Sequence, residues 1–305
     1  MTTQQHSTDQ PHVPLSAPES EAVEERDAQP APSTRRERAG LSWPVKVALR
    51  LVVPAAILLV WWLVSTSQRM GLYVVDPLTA FDRFVTDFLS ADPSRFFLGD
   101  ATYDHLFPSV GRALAGLAIA IVVGVVVGIV LGISPVLTGL FQPMVHLGRS
   151  LPSPALLGVF FFMFGTGDLP KIFLIAFSIV WPILLNTIDG VSSIGQVRAQ
   201  AAQVFRIPGR DVLFHIVLPG AAPKIFAGIR TSLSLSLILM IISELQKSEN
   251  GLGYQLIQSQ RNFDYAGFWS VLIVLVILGV AFNLIFKFVE RRALAWHRGA
   301  TQQND

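Results

Sequence analysis

The fold is decided by a long apolar stretch, residues 108–133, which read PSVGRALAGLAIAIVVGVVVGIVLGI. A helix rises about 1.5 Å per residue, so a stretch of this length crosses the ~30 Å hydrocarbon core of a bilayer. Small residues recur in it at every fourth position: Gly116, Ala120, Gly124, Gly128 and Gly132. Since small residues let helix backbones approach closely in lipid, this stripe predicts tight helix packing. Packing within the subunit, a dimer seam and a pathway wall all fit it.

The composition of the whole chain is that of an integral membrane protein. Of its 305 residues, 51% are hydrophobic and 14% are charged, with a mean hydropathy of +0.52. Soluble domains carry about 25% charged residues, so a soluble chain of this size has too little charge to cover its apolar surface. The chain has no Cys, which excludes disulfides, thiolate metal sites and a Cys nucleophile. A net charge of +2 gives no indication of nucleic-acid binding.

Further stretches are long and apolar enough to span a bilayer, near residues 46–66, 138–165, 170–189, 223–245 and 267–288. We therefore predict an all-α membrane protein with about six transmembrane helices. The stretch 138–165 is interrupted by Pro143, Pro152 and Pro154. Two interpretations fit it: a broken helix beside a water-filled pathway, or a short interfacial helix that leads into a shorter span.

The distribution of basic residues predicts the orientation. Residues 1–44 are polar and Pro-rich, which predicts a disordered tail, and they are followed by a transmembrane domain, 45–298, and a short tail, 299–305. Basic residues precede the first span and follow the last one: Arg35, Arg36, Arg38, Lys46, Lys287, Arg291, Arg292 and Arg298. The positive-inside rule then predicts a multi-pass protein of the cytoplasmic (inner) membrane with both termini in the cytoplasm.

The loop between the fourth and fifth spans, residues 196–222, has a pattern of its own. Its residues 200–223 read QAAQVFRIPGRDVLFHIVLPGAAP, which is too polar to span. Apolar residues recur at helical spacing: Val212, Leu213, Ile216 and Val217. The pattern predicts two short amphipathic helices around a Pro208–Gly209 break, ended by Pro219. Such an element suits docking into a groove on a soluble partner.

This loop resembles the cytoplasmic coupling loop of binding-protein-dependent ABC importer permeases, which reads Glu-Ala-Ala, three residues, Gly, nine residues, Ile-x-Leu-Pro. Ala201–Ala202 and Ile216–Pro219 match at the same spacing, whereas Gln200 replaces the Glu and Arg206 replaces the Gly. In the family the glycine usually makes the turn between the two helices. In this sequence Pro208–Gly209 is a second position at which that turn can form. The resemblance implies ATPase-coupling roles for Gln200, Ala201, Ala202, Phe205, Arg206, Gly209, Leu213, Ile216, Leu218 and Pro219.

The resemblance covers about residues 45–298. Within this range the sequence is similar in detail to the subgroup that imports sulfonates, taurine, nitrate and related small solutes. The matching motifs are Pro143-x5-Arg149-Ser150-x-Pro152, Phe164-Gly165-x-Gly167, Lys171–Ile175, Trp181–Thr187, Ser243–Leu245, Gly251–Tyr254 and Glu290–Arg292. It implies the type I ABC importer permease fold. The alternative within the same machinery is import of a pyrimidine or thiamine precursor.

The resemblance also implies partners. The chain contains no G-x-x-x-x-G-K-[ST] motif, so we expect it to be no enzyme and to bind no cofactor, with ATP and Mg on a partner ATPase. The implied partners are a cytoplasmic ABC ATPase dimer, a second permease subunit in a homodimer and an extracytoplasmic solute-binding protein. An ion-coupled secondary transporter is a further alternative, but it should show an inverted repeat, which we do not find.

Polar residues inside the predicted spans are candidates for the translocation pathway, because they are costly in a membrane. The polar candidates are Arg149, Ser232, Ser236 and Glu244, and Pro152, near Arg149, is a further candidate. Each has a structural alternative: Glu244 pairs with a basic residue, and the Ser hydroxyls bond back to helix carbonyls. Arg230 either snorkels to the interface or pairs inside the protein. The six His residues are not paired at ligand spacing, so we predict no metal site.

Overall fold

The computed structural model describes residues 43–67, 71, 73–194 and 204–295, with side chains from residue 51 onward. Nearly all of the predicted N-terminal tail and the whole of the C-terminal tail lie outside these residues, as do Gln200, Ala201 and Ala202. By its contacts the chain divides into residues 1–55 and 56–305, and the packing described below belongs to the second unit.

The described residues form helices joined by turns. In chain order the helices are α1 (Trp43–Ser65), α2 (Pro77–Phe88), α3 (Phe107–Ile133), α4 (Pro135–Ser150), α5 (Ser153–Phe164), α6 (Leu169–Ser193), α7 (Leu218–Glu244), α8 (Leu252–Arg261) and α9 (Tyr265–Ala293). The turn of π-helix Thr102–Leu106 leads into α3. A short helical turn, Gly209–Asp211, and a second turn of π-helix, Val212–Val217, lead into α7.

Local sequence sets several helix starts. The Asp76 carboxylate caps α2 by accepting hydrogen bonds from the backbone amides of Leu78 and Thr79, and Pro77 occupies the first position of the helix. Hydrogen bonds from Thr79 lower the pKa of the Asp76 carboxyl below its usual range. Asp264 caps α9 in the same way, 2.9 Å from the backbone nitrogen of Gly267.

The number of spans differs from the prediction of about six. Four helical segments of the described chain are long and apolar enough to cross a membrane: Thr102–Ile133, Leu169–Ser193, Gly209–Glu244 and Tyr265–Ala293. Helices α4 and α5 form a fifth if they are taken as one broken span. The apolar part of α1 with described side chains, Leu51–Ser65, is shorter than a span, so six spans are not confirmed.

The interruption in the predicted span 138–165 lies at Leu151–Pro152, where α4 and α5 meet at an angle of 93°. Proline disfavours the helical conformation of the preceding residue and cannot donate the backbone hydrogen bond that would continue the helix. Pro143 lies inside α4, which continues past it. The break is therefore set by Pro152.

The small-residue stripe of α3 packs against α6 within the chain. A Cβ atom added to Gly116 would lie 2.6 Å from the Ile175 side chain, and one added to Gly128 would lie 2.6 Å from Thr187. Gly124 and Gly132, each one turn from Gly128, make the same kind of contact with Ile183 and Val191. Side chains at these positions would separate the two helices, so the stripe fixes the α3–α6 distance.

Helix α6 is the centre of the packed unit. It contacts α3 along one face and α7 along another, and its residues Leu174, Ile175, Ile179 and Ile183 are fully buried. Helices α2 and α8 both pack against α9. The arrangement places the start of α7 and the end of α7 at two separate polar regions, which are the candidate sites.

Candidate functional site

The first candidate site is the coupling segment, which we define as residues 204–219 of the predicted loop. The segment continues into α7 as one helical run, Gly209–Glu244. The prediction that Pro219 ends the helix is wrong. The backbone amide of Leu218 bonds to the Leu213 carbonyl across the wider π turn, and this widening accommodates a proline ring that would otherwise meet the carbonyl of residue 215.

The same device starts α3. There the backbone amide of Phe107 bonds back to the Thr102 carbonyl, directly before Pro108. Both π turns therefore precede a proline at the start of a long helix. In each case an i to i+5 bond replaces the ordinary helical pattern where the proline would break it.

Arg206 makes the turn of the coupling segment. Its φ angle is +52°, in the left-handed region where glycine is the usual residue. The sequence resemblance assigns a glycine to this position. Gly209, in contrast, begins the helical turn Gly209–Asp211 and has no positive φ. The turn thus stays at its position in the family pattern, at a cost of about 1–2 kcal/mol for a residue with a Cβ.

The coupling segment exposes apolar side chains. Phe205 is 77% exposed and Phe214 is 53% exposed, and no apolar side chain of the segment is larger than these two. Of the predicted anchors, Leu213 and Ile216 are half-buried, and Leu218 packs against the core. The exposed basic residues Arg206 and Arg210 flank these groups. The surface therefore combines apolar anchors with a basic rim.

The second site is a polar cluster at the other end of α7, which we call the Arg112 network. It consists of Ser109, Arg112, Asp168, Glu244 and Asn250. Its Ser109, Arg112 and Glu244 are buried, whereas its Asp168 is exposed. Arg112 is 3% exposed, and its Nη1 atom donates to Glu244 Oε1 at 2.6 Å. Its Nε atom donates to Asp168 at 2.8 Å, and Nη2 donates to the Asn250 side chain. Arg112 thereby joins α3 to α7, to the loop between α5 and α6 and to the loop between α7 and α8.

Glu244 is fully paired in this network. Its carboxylate accepts hydrogen bonds from Ser109 Oγ at 2.7 Å and from the backbone nitrogen of Gly253 at 3.0 Å, besides the bond from Arg112. Ser109 Oγ in turn accepts from the backbone nitrogen of Leu252 at 2.8 Å. The structure therefore shows Glu244 in the structural arrangement that was the alternative to a pathway role.

Gly251 closes the network. Its φ angle is +111°, and an added Cβ would lie 2.5 Å from the Glu244 carboxylate and 2.7 Å from Arg112 Nη1. Lys171 fixes the same loop through a 2.7 Å bond from Nζ to Ser248 Oγ. A glycine is thus required where the loop backbone crosses the ion pair.

The other pathway candidates divide into buried and exposed residues. Ser232 and Ser236 are fully buried; Ser232 Oγ donates to the Ile179 carbonyl and Ser236 Oγ to the Leu233 carbonyl, both at 2.8 Å. Arg149 and Pro152 are exposed at the bend between α4 and α5. A pathway role for these two stays a prediction that the exposed geometry permits.

Arg230 also has a partner inside the protein. It forms an ion pair with Glu290 of α9, and its guanidinium carbon lies 5.9 Å from the ring centre of Phe286. This pair joins α7 to α9. Within the residues described here, no group of three or more His, Asp or Glu side chains is arranged to hold a metal ion.

Comparison with known proteins identifies the class of these sites. The family described as "Binding-protein-dependent transport system inner membrane component" matches residues 120–294. The taurine transport system permease TauC of Escherichia coli is 33% identical over 260 residues, covering 84% of this chain and 92% of TauC. The chain belongs to this family.

Two other permeases of the family show similar coverage. The putative aliphatic sulfonates transport permease SsuC of Escherichia coli is 31% identical over 256 residues, 84% of this chain and 94% of SsuC. The bicarbonate transport permease CmpB of Synechococcus elongatus is 28% identical over 235 residues, 76% of this chain and 83% of CmpB. The protein is thus an inner-membrane permease subunit of an ABC importer, and a secondary transporter is not favoured.

The fold agrees with this assignment. A chain of the MetNI methionine ABC transporter, in an inward facing conformation, superposes with a TM-score of 0.56 over 62% of this permease and 94% of that chain. The sequence identity is 18%, so this similarity concerns the fold alone. It confirms the predicted ABC importer permease fold.

Proposed function

We propose that this permease imports a small sulfonate-, taurine- or nitrate-like solute, delivered by an extracytoplasmic binding protein. Two copies form a homodimer with both termini in the cytoplasm. An ABC ATPase dimer that carries ATP and Mg binds the coupling segment from the cytoplasmic side. The names and identities of the TauC and SsuC relatives support the solute class.

One observation carries the ATPase contact. Phe205 and Phe214 are exposed beside Arg206 and Arg210, in the turn before the helical run Gly209–Glu244 and in the first turns of that run. Large aromatic groups surrounded by basic residues are typical anchors of a protein interface. The opposite end of the same helical run is tied to α3 by the Arg112 network.

The helical run gives the contact a mechanical consequence. Gly209–Glu244 is 36 residues long, so a displacement of the coupling segment moves α7 with it. Closure of the ATPase dimer then tilts α7 together with the packed helices α6 and α3, a rigid-body change between outward- and inward-facing states.

Co-purification with the ATPase encoded beside the permease gene tests the contact. We expect Phe205→Glu and Phe214→Glu to abolish association, since each introduces a charge into a desolvated apolar anchor. Phe263→Glu is the matched control, because Phe263 is 76% exposed on the loop between α8 and α9. Association that survives both substitutions places docking elsewhere. Failure of the wild-type chain to associate contradicts the proposal.

Uptake of radiolabelled solutes tests the transport class. In cells that express the permease with its ATPase and binding protein, we expect ATP-dependent uptake of taurine or an alkanesulfonate. Uptake of a thiamine precursor in their place contradicts the proposed solute class. Uptake that persists in an ATPase-deficient strain contradicts ATP coupling.

A further inference from the structure

Helix α4 carries a polar stripe that the assignments above leave unexplained. Thr138, Gln142, His146 and Arg149 follow one another at intervals of four, four and three residues, so they lie on one face of the helix. The neighbouring residues Leu140, Met144 and Leu147 are apolar and exposed. A polar stripe on an otherwise apolar helix of a membrane protein needs a polar neighbour.

This stripe borders a cavity of ≈ 240 Å³ between α4, α6 and the end of α3. Thr138, Gln142 and His146 line it from α4, and Asp189 lines it from α6. The remaining wall is apolar: Leu131, Val145, Leu185 and Ile188. Pockets for drug-sized ligands measure about 300–1,000 Å³, so this cavity suits a smaller solute.

Gln142, His146 and Asp189 of the cavity are exposed, whereas Thr138 Oγ1 donates to the Leu131 carbonyl at 2.7 Å. Arg112, Arg230 and Lys171 are each bonded to a side chain of the protein. Within the described residues, the side chains of Gln142, His146 and Asp189 form no hydrogen bond or ion pair. Because these three side chains are exposed at the cavity, their hydrogen-bonding groups are accessible to a molecule that binds there.

Lys224 lies beside the acidic residue without forming, among the described residues, an ion pair with its carboxylate. Its Nζ atom donates to the backbone carbonyl of Asp189 at 3.0 Å. The cavity thus has a carboxylate on α6 and imidazole and amide groups on α4. Arg149 adds a guanidinium one helical turn beyond His146.

We infer that this cavity is a solute site of the permease and that its ligand is a small zwitterion, with an ammonium group at one end and a sulfonate or carboxylate at the other. Asp189 receives the ammonium group. Gln142 and His146 donate to the oxyanion, and the apolar wall contacts the short carbon chain between them. A simple anion would offer no cation to the Asp189 carboxylate. The inference rests on the proposed import function and specifies its solute class.

Binding of radiolabelled taurine to the full chain in nanodiscs tests the site, with ethanesulfonate as the competitor that lacks the amine. For the wild type we expect ethanesulfonate to bind at least about tenfold more weakly than taurine, since the charge-assisted bond to Asp189 is lost. Asp189→Asn should remove this preference. The matched control is Asp82→Asn, because Asp82 is an exposed carboxylate on α2, and it should leave the preference unchanged.

His146→Leu provides the second variant, which keeps the test valid if Asp189→Asn does not fold. It should weaken taurine and ethanesulfonate equally, because both carry the sulfonate. Equal affinity of the wild type for the two solutes, absence of taurine binding, or an unchanged preference in Asp189→Asn overturns the inference.

ATP-dependent uptake by the same variants separates this inference from the proposed function. Uptake by Asp189→Asn with unaltered selectivity overturns the cavity assignment and leaves the importer function intact. A wild type that shows no ATP-dependent uptake of any solute contradicts the importer function itself. A change in dimer elution, with solute preference unchanged, shows that the stripe faces a second copy and also overturns the inference.

Discussion

The two ends of α7 differ in exposure: one carries a polar network paired around a buried ion pair, and the other carries a set of exposed apolar side chains. At its end, the Arg112 network buries an ion pair whose hydrogen bonds are supplied by three neighbouring segments. At its start, the coupling segment leaves Phe205 and Phe214 in the solvent and makes its turn with a strained arginine. The polar groups of the first end are paired within the chain, whereas the second end exposes the apolar groups that we propose bind the ATPase. One helix thus connects the Arg112 network to the proposed docking surface.

Breaking the end that holds the Arg112 network should have the largest effect. Arg112→Met leaves the Glu244 carboxylate buried without its cation, and removing one partner of a buried pair costs about 3–5 kcal/mol. We expect a large fall in the thermal unfolding temperature of the detergent-purified permease. The double variant Arg112→Met with Glu244→Gln should recover much of this loss, because the remaining group is uncharged. Losses that simply add in the double variant would show that the two side chains act independently.

The loop backbone gives a second way to break the same end, with a smaller effect. Gly251→Ala places a methyl group against the ion pair in a left-handed conformation, which should destabilise the protein by about 1–3 kcal/mol. Gly279→Ala is the control, since an added Cβ at Gly279 meets no atom within 4 Å. A lower unfolding temperature in both variants would indicate a general sensitivity of the helices to alanine, unrelated to the network.

The sequence predicts one of these ends much better than the other. The coupling segment follows a local pattern, so its position and amphipathic character can be found from spacing. Arg112 and Glu244 are 132 residues apart, and no periodicity relates them. A single arginine within the apolar stretch 108–133 was the available signal, because a charge in a span needs a partner. The partner itself is defined by the packing of α3 against α6 and α7.

The finer differences have local causes. An ordinary helical period predicts Leu213 and Ile216 as anchors, and this role stays a prediction. The π turn Val212–Val217 widens the helix there and changes which side chains face outward, so Phe214 is exposed as well. Periodicity alone cannot detect this change. In contrast, the glycine stripe of α3 lies in regular helix, and its spacing matched the packing surface.

The smallest predicted effect concerns the turn at the exposed end. Arg206→Gly removes the Cβ from a left-handed residue and should stabilise the turn by about 1 kcal/mol, partly offset by the greater freedom of glycine in the unfolded segment. Arg206→Ala is the matched control, because it removes the same charge and keeps the Cβ. We expect limited proteolysis of the segment to be several-fold slower in the glycine variant than in the alanine variant. Equal rates would show that the left-handed turn carries no strain, and that Arg206 contributes through its charge.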